Sequence, residues 1–188
     1  MVIICILHAK LIKMRLKCYL GLFQLMFVLM ANAQTLPDTV FITDYIKSDL
    51  DSQYTSLSNT NIKLMLPQHY MLITQGPEQI YVHTGTASSI VWQKMDSVAF
   101  VSVTSTLNQE TFIKQGFTLK EQFDLKTIEG RPAKVFRLSF TVDNVPMTRL
   151  IFFTGDIQTT IMLTANYPDV FAELLQNVMI ASFSTLRF

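Results

Sequence analysis

Residues 122–165, QFDLKTIEGRPAKVFRLSFTVDNVPMTRLIFFTGDIQTTIMLTA, decide the fold. Four runs stand out in them: Gln122–Ile128, Ala133–Val142, Pro146–Thr154 and Gln158–Ala165. All four are rich in β-branched and aromatic residues, which suits a pleated, half-buried surface. Glu129-Gly130, Asp143-Asn144 and Gly155-Asp156 separate them, and such pairs tolerate the positive φ that tight hairpins need. In the second run Phe136, Leu138, Phe140 and Val142 share one face, and Val135, Arg137, Ser139 and Thr141 share the other. Ile161, Leu163 and Ala165 alternate with Met162, Thr164 and Asn166 in the same way. Both faces are partly apolar, so the pattern predicts an antiparallel four-strand meander, covered fully on one face and partly on the other.

Working outward, the chain ends in a helical pattern. Pro168 and Asp169 suit a first turn, where φ is preset and the positive helix end favours an acid. Asp169, Glu173, Gln176 and Asn177 form a narrow polar stripe, and Val170, Phe171, Leu174, Leu175, Val178 and Met179 fill the rest. So apolar a helix is expected to lie on the sheet, and Leu174→Asp is expected to abolish cooperative folding. Ahead of the meander, Asn108 is placed to cap a short helix through Gln115, with Gly116 just past its end. Earlier still, Ile62–Leu66, Met71–Thr74, Ile80–His83, Ser89–Gln93 and Ser97–Thr104 read as short strands. Residues 53–61 read as a loop, and Asp38 to about Leu50 as a short helix. The expected class is α+β: an α/β/α sandwich around a mainly antiparallel sheet, with the meander at 122–165 and the C-terminal helix packed on it.

The N-terminal end has a different character. Residues 1–33 carry four basic residues and no acid, and Arg15 and Lys17 precede an apolar run from Cys18 to Ala31. Ala31-Asn32-Ala33 follows that run. A cationic start, a short apolar stretch and a small-x-small exit are the three parts of a secretory signal peptide. The run is short of the roughly 20 residues a membrane span needs. We therefore read 1–33 as a signal peptide, cut before Gln34, with Met14 read as the start and Met1 as the alternative. Residues 34–60 are expected to form an extension and 61–188 the domain.

Removing that leader changes the composition. Residues 34–188 hold 11 basic and 14 acidic residues, a net charge of −3 against +1 for the whole 188-residue chain. A mildly acidic body without a basic run excludes an electrostatic nucleic-acid binder. Cys5 and Cys18 both lie in the leader, so the mature chain has no cysteine. That excludes disulfide scaffolds, thiol catalysis and cysteine-ligated zinc. The domain must rest on its apolar core, which is feasible at this size because roughly 68–70% of the unfolded surface is buried.

The order of these features resembles the PsbP-like family. The likeness rests on a strand ending at Pro67 with Tyr70 soon after, and on the helix capped by Asn108 and closed by Gly116. It also rests on Gly130-Arg131-Pro132-Ala133 opening a long strand, and on Tyr167-Pro168 before the last helix. It covers about residues 61–186. The resemblance implies the α/β/α sandwich, an exported location and a binding role without shared catalytic residues.

Motifs that would carry chemistry are missing. There is no G-x-S-x-G, phosphate loop, dinucleotide fingerprint or H-E-x-x-H. His69 and His83 lack ligand spacing, and Asp44, Asp49 and Asp51 lack the Gly and Glu of a calcium loop. Glu110, Glu121, Asp124 and Glu129 fall where exposed acids commonly fall. No catalytic residue, metal or cofactor is expected. The lone Trp92, beside the apolar Ile90 and Val91, reads first as a core residue; if the face holding Tyr81 and His83 is open, these two with Trp92 would form an amphipathic aromatic patch suited to a partner. The expected function is an exported, non-enzymatic domain, periplasmic or secreted, that binds a protein or cell-envelope component. The alternatives are a carboxylate-based hydrolase or other small-molecule enzyme, and a carrier of an apolar ligand. No membrane span is expected after cleavage.

Overall fold

A computed structural model describes residues 50–58, 60–74 and 79–188. The leader at 1–33 and the helix expected ahead of Leu50 lie outside the described residues. The described part is α+β, and the meander at its centre is as predicted. β6 (Thr118–Lys126), β7 (Pro132–Val142), β8 (Val145–Gly155) and β9 (Thr159–Pro168) pair in sequence, all antiparallel. Asp143 and Asn144 both take positive φ, 47° and 66°, the two-residue turn that matches the strand twist.

β3 (Met71–Thr74), β4 (Ile80–His83) and β5 (Ser88–Asp96) extend this sheet beyond β9. The order is β3-β4-β5-β9-β8-β7-β6 in one seven-stranded sheet. β1 (Leu50–Ser56) and β2 (Lys63–Pro67) form a separate antiparallel pair. Since β5 and β6 lie far apart in the sheet, the chain between them crosses its outer face as α1 (Phe100–Thr106) and α2 (Gln109–Ile113). The C-terminal helix α3 (Ala172–Ser184) lies on the inner face, giving the three layers of the sandwich.

Each face has its own core. On the inner one Val135, Leu150, Phe152, Leu163 and Ala165 meet Leu175, Met179 and Phe183 of α3 and Leu64 and Leu66 of β2. The outer cluster is smaller: Phe112, Phe136, Leu138 and Phe153, with Phe100, Val103 and Leu107 packed against it. Polar anchors fix β2 to the helix, since Ser182 Oγ donates to the Met65 carbonyl at 2.6 Å and Thr185 Oγ1 accepts from the Met65 amide at 2.9 Å.

Four sequence expectations need correction. Ser97–Thr104 forms no strand: Ser97 has φ 61°, which ends the extended chain, and α1 follows. Phe100, Val103 and Leu107 recur at helical spacing and bury against the outer cluster, and that burial outweighs the β-branched local preference. The loop expected over 53–61 is strand as far as Ser56, because β1 finds a partner in β2. β6 begins four residues earlier than expected, at Thr118, paired with Ser139. Pro168 closes β9 instead of opening the helix, which starts after a 3-10 turn at Asp169–Phe171. The expected cap at Asn108 is present, its Oδ1 accepting from the Thr111 amide at 3.0 Å.

Candidate functional site

Strands β7 and β8 have 11 residues each, about 35 Å of extended chain. Helix α3 has 13 residues, only about 20 Å long. One such helix cannot roof the whole inner face. Beside its first turn the face of β6, β7 and β8 stays open as a cleft of about 700 Å³, within the size range of small-molecule sites.

The register sets what lines it. Thr118, Ser139, Thr148 and Tyr167 lie opposite one another in a single row across β6, β7, β8 and β9. The cleft takes in the first three, with Lys120, Arg137 and Thr141 from the strands and Asp169 from the turn before α3. Thr148 Oγ1 donates to Asp169 Oδ1 at 2.6 Å, fixing the carboxylate at the rim. Arg137 is held from two sides, Nη2 at 3.1 Å from Glu121 Oε2 and Nη1 donating to Gln176 Oε1 at 3.3 Å. Its Nε is buried without a partner, and so is the hydroxyl of Tyr167. Burial raises the Tyr167 hydroxyl above its ordinary pKa, with Arg137 acting against this and Asp169 and Tyr70 adding to it. Tyr167 is therefore a neutral donor at physiological pH. The cleft lining offers hydroxyls, a guanidinium, an ammonium and one carboxylate, a set that orients a polar ligand. Asp169 is the one carboxylate of the lining, which holds no histidine.

Tyr81, His83 and Trp92 share the inner face, as their alternation implies, but that face is roofed there. Their exposures are 3%, 5% and 3%. The open face that an aromatic patch requires is absent at this place. The Tyr81 hydroxyl donates to Gln79 Oε1 at 3.0 Å, and His83 belongs to a buried chain of polar groups. His83 Nδ1 accepts from the Thr86 amide at 3.2 Å and lies 3.0 Å from Thr86 Oγ1. Thr86 Oγ1 is 2.7 Å from Ser88 Oγ, which also bonds the Tyr70 hydroxyl. Serine, threonine and imidazole in line suggest a nucleophile relay. Ser88 and Thr86 are nevertheless almost wholly buried, so substrate has no access, and the chain instead caps the 3-10 turn at Thr84–Thr86.

This network gives a pH prediction. Burial, then the neighbouring His69, hold the His83 imidazole below its ordinary value. The unfolded chain therefore binds the proton more readily than the folded one. The stability tied to neutral His83 is complete above about pH 6.5 and declines as pH falls through that value toward the folded-state pKa. The melting temperature should drop more steeply for the native protein than for His83→Gln between about pH 7.5 and about pH 5. Parallel curves would contradict this.

None of the residues lining the cleft is among those the sequence points to as a site, Tyr81, His83 and Trp92. A signal for three of them is present in the sequence, since Arg137, Ser139 and Thr141 set three polar side chains in alternation on one face of β7. Among the described residues no group of three or more His, Cys, Asp or Glu could hold a metal ion. No described helix is long and apolar enough to cross a membrane.

No family model matches the chain, and no curated protein matches it in sequence. Solved structures do share the fold. LpqN of Mycobacterium tuberculosis, described as involved in cell envelope biogenesis, superposes with a TM-score of 0.55 at 16% identity, over 77% of this chain and 95% of that one. The cyanobacterial PsbP of Synechocystis gives 0.52 at 10% identity, over 72% of this chain and 91% of that one. At such identities the likeness concerns fold, and it agrees with the PsbP-like resemblance seen in the sequence.

Proposed function

We propose that the protein is an exported, non-catalytic domain that binds a protein or cell-envelope component in the cleft beside α3. The observation that carries this reading is the row Thr118, Ser139 and Thr148, flanked by Arg137 on one side and Asp169 on the other. Such groups hold a ligand in register without the nucleophile–base pair that would transform it. The signal-peptide pattern of 1–33 supports export, and the envelope role printed for LpqN fits the same compartment. The filled inner core, where Phe152, Leu163, Met179 and Phe183 occupy the space between sheet and helix, favours this over an apolar carrier.

Ser139→Trp puts an indole into the cleft at a half-buried strand position. The native protein, purified from its exporting cells, should retain a stoichiometric envelope component. Ser139→Trp should lose it while keeping a near-native melting temperature. Equal retention by both proteins would remove the cleft from the proposal.

A further inference from the structure

The outer face of the sheet carries a second polar centre. One register row crosses all seven strands as Met71, Val82, Ser89, Asn166, Arg149, Leu138 and Leu119. Arg149 stands next to its central residue, Asn166. Its Nε donates to Asn166 Oδ1 at 2.6 Å, and Asn166 Nδ2 donates in turn to Ser89 Oγ at 3.4 Å. The guanidinium lies over two rings, 4.5 Å from the centroid of Phe117 and 5.1 Å from that of Phe140. Stacking and the bond to Asn166 set its plane and leave the Nη edge directed elsewhere.

That edge is unmatched. Ion pairs among the described residues use Lys94, Lys114, Arg131, Lys134 and Arg137, and none reaches Arg149. Neither Nη group has a hydrogen-bond partner among the described residues, and neither is among the fully buried unpartnered atoms, so both reach solvent. A half-buried charge held against two rings commonly has a carboxylate or other anion beside it. Burial lowers the Arg149 pKa to about 10, so it keeps its charge at neutral pH.

The surroundings define the rest of the ligand. In the next row Val91, Thr164 and Ile151 lie side by side on β5, β9 and β8, all half-buried. Phe117 and Phe140 close the other side, also half-buried. A fork of N–H donors thus opens beside an apolar strip that α1 and α2 leave partly uncovered. Guanidinium forks match planar or tetrahedral oxyanions, and the strip matches hydrocarbon.

We propose that the outer face is a second binding site, taking an amphiphilic anion whose carboxylate or phosphate head meets Arg149 and whose apolar body lies along Ile151, Thr164 and Val91. This site lies on the opposite face from the cleft and does not depend on the reading of the cleft.

The test is calorimetric titration of the purified protein with four probes below their micelle concentrations. These are dodecanoate, dodecyl phosphate, inorganic phosphate and dodecyltrimethylammonium. Saturable binding of at least one dodecyl anion is expected, with the tighter of the two naming the head group. Inorganic phosphate should bind at least about tenfold more weakly, and the cation not at all, because both charge and hydrocarbon are needed. Arg149→Met keeps the apolar stem and should weaken the dodecyl anions by at least about tenfold. Ser139→Trp should leave them unchanged, which separates this site from the cleft. Equal binding by Arg149→Met, equal binding of the cation, or no saturable binding to the native protein would overturn the proposal. Should Arg149→Met fail to fold, the Nε–H resonance of Arg149 in the native protein supplies the readout. It should move on titration with the tighter dodecyl anion, and a resonance that stays in place overturns the site.

Discussion

Gly155→Ala is expected to destabilise the protein by about 3 kcal/mol or more, a large effect for one methyl group. Gly155 ends β8 with φ 155°, a region that L side chains rarely enter. A Cβ built there would stand 2.1 Å from the Thr159 carbonyl oxygen and 2.9 Å from the Thr160 Cα, both backbone atoms. Neither can move alone. The Thr159 carbonyl accepts from the Asp156 amide at 2.9 Å, and Asp156 Oδ1 accepts from the amides of Gln158 and Thr159 at 2.7 and 2.8 Å. The same turn seats the start of α1, since the Phe100 amide donates to the Asp156 carbonyl at 2.9 Å. The strain would therefore spread from the β8–β9 turn to the outer layer. Gly130→Ala is the control, with φ 79° and no atom within 4 Å of the new Cβ. Only the left-handed backbone cost of about 1–2 kcal/mol applies there. Urea melts of the two variants should differ clearly, and a Gly155→Ala midpoint at or above that of Gly130→Ala would contradict the account.

Leu175→Asp should abolish cooperative unfolding. Leu175, Met179 and Phe183 recur every four residues and form the seam of α3 against the inner core, with exposures of 3%, 0% and 1%. A carboxylate at Leu175 would face Leu, Phe and Met side chains. An unpaired buried charge costs about 3–5 kcal/mol, a large share of the stability of a domain this size. The helical pattern alone points to Leu174 as the residue to test. In the structure it only packs at the margin of that core, half-buried, where an aspartate keeps contact with water. Leu174→Asp is therefore expected to cost about 1–2 kcal/mol and to keep a sigmoidal melt. Equal effects of the two substitutions would mean that the helix is seated differently.

Leu174 and Leu175 illustrate what the sequence does not contain. The helix itself was legible from its apolar pattern, but the pattern is apolar over most of its circumference and does not choose a seam. That choice belongs to the sheet and to β2. The meander was legible because its information is local: Asp143-Asn144 takes the positive φ its residue types allow, and Phe136 and Leu138 alternate with Val135 and Arg137. β1 was not, since the chain from Gln53 reads as loop and the chain up to about Leu50 as helix. Its place depends on distant chain, through pairing with β2 and through Arg187, whose guanidinium lies 4.3 Å from the Tyr54 ring centroid. The site divides in the same way. Arg137, Ser139 and Thr141 can be seen in the sequence as polar residues sharing one face of β7, whereas Asp169 joins them only through the turn after β9. Tyr81 and His83 have the expected shared facing but are covered, Tyr81 with Trp92 in the inner core and His83 beside the rings of His69 and Tyr70. Alternation tells which residues share a face, and only tertiary packing tells whether that face is roofed.

The central claim is that the cleft beside α3 holds a partner in the cell envelope. It is tested most directly by placing a photo-crosslinking side chain at Thr118, on the rim of the cleft, and another at the exposed Gln93 on the outer face. Both proteins are irradiated in the exporting cell. One discrete adduct is expected from Thr118, abolished by Ser139→Trp, and none from Gln93. No adduct from Thr118, or the same adduct from both positions, would contradict it.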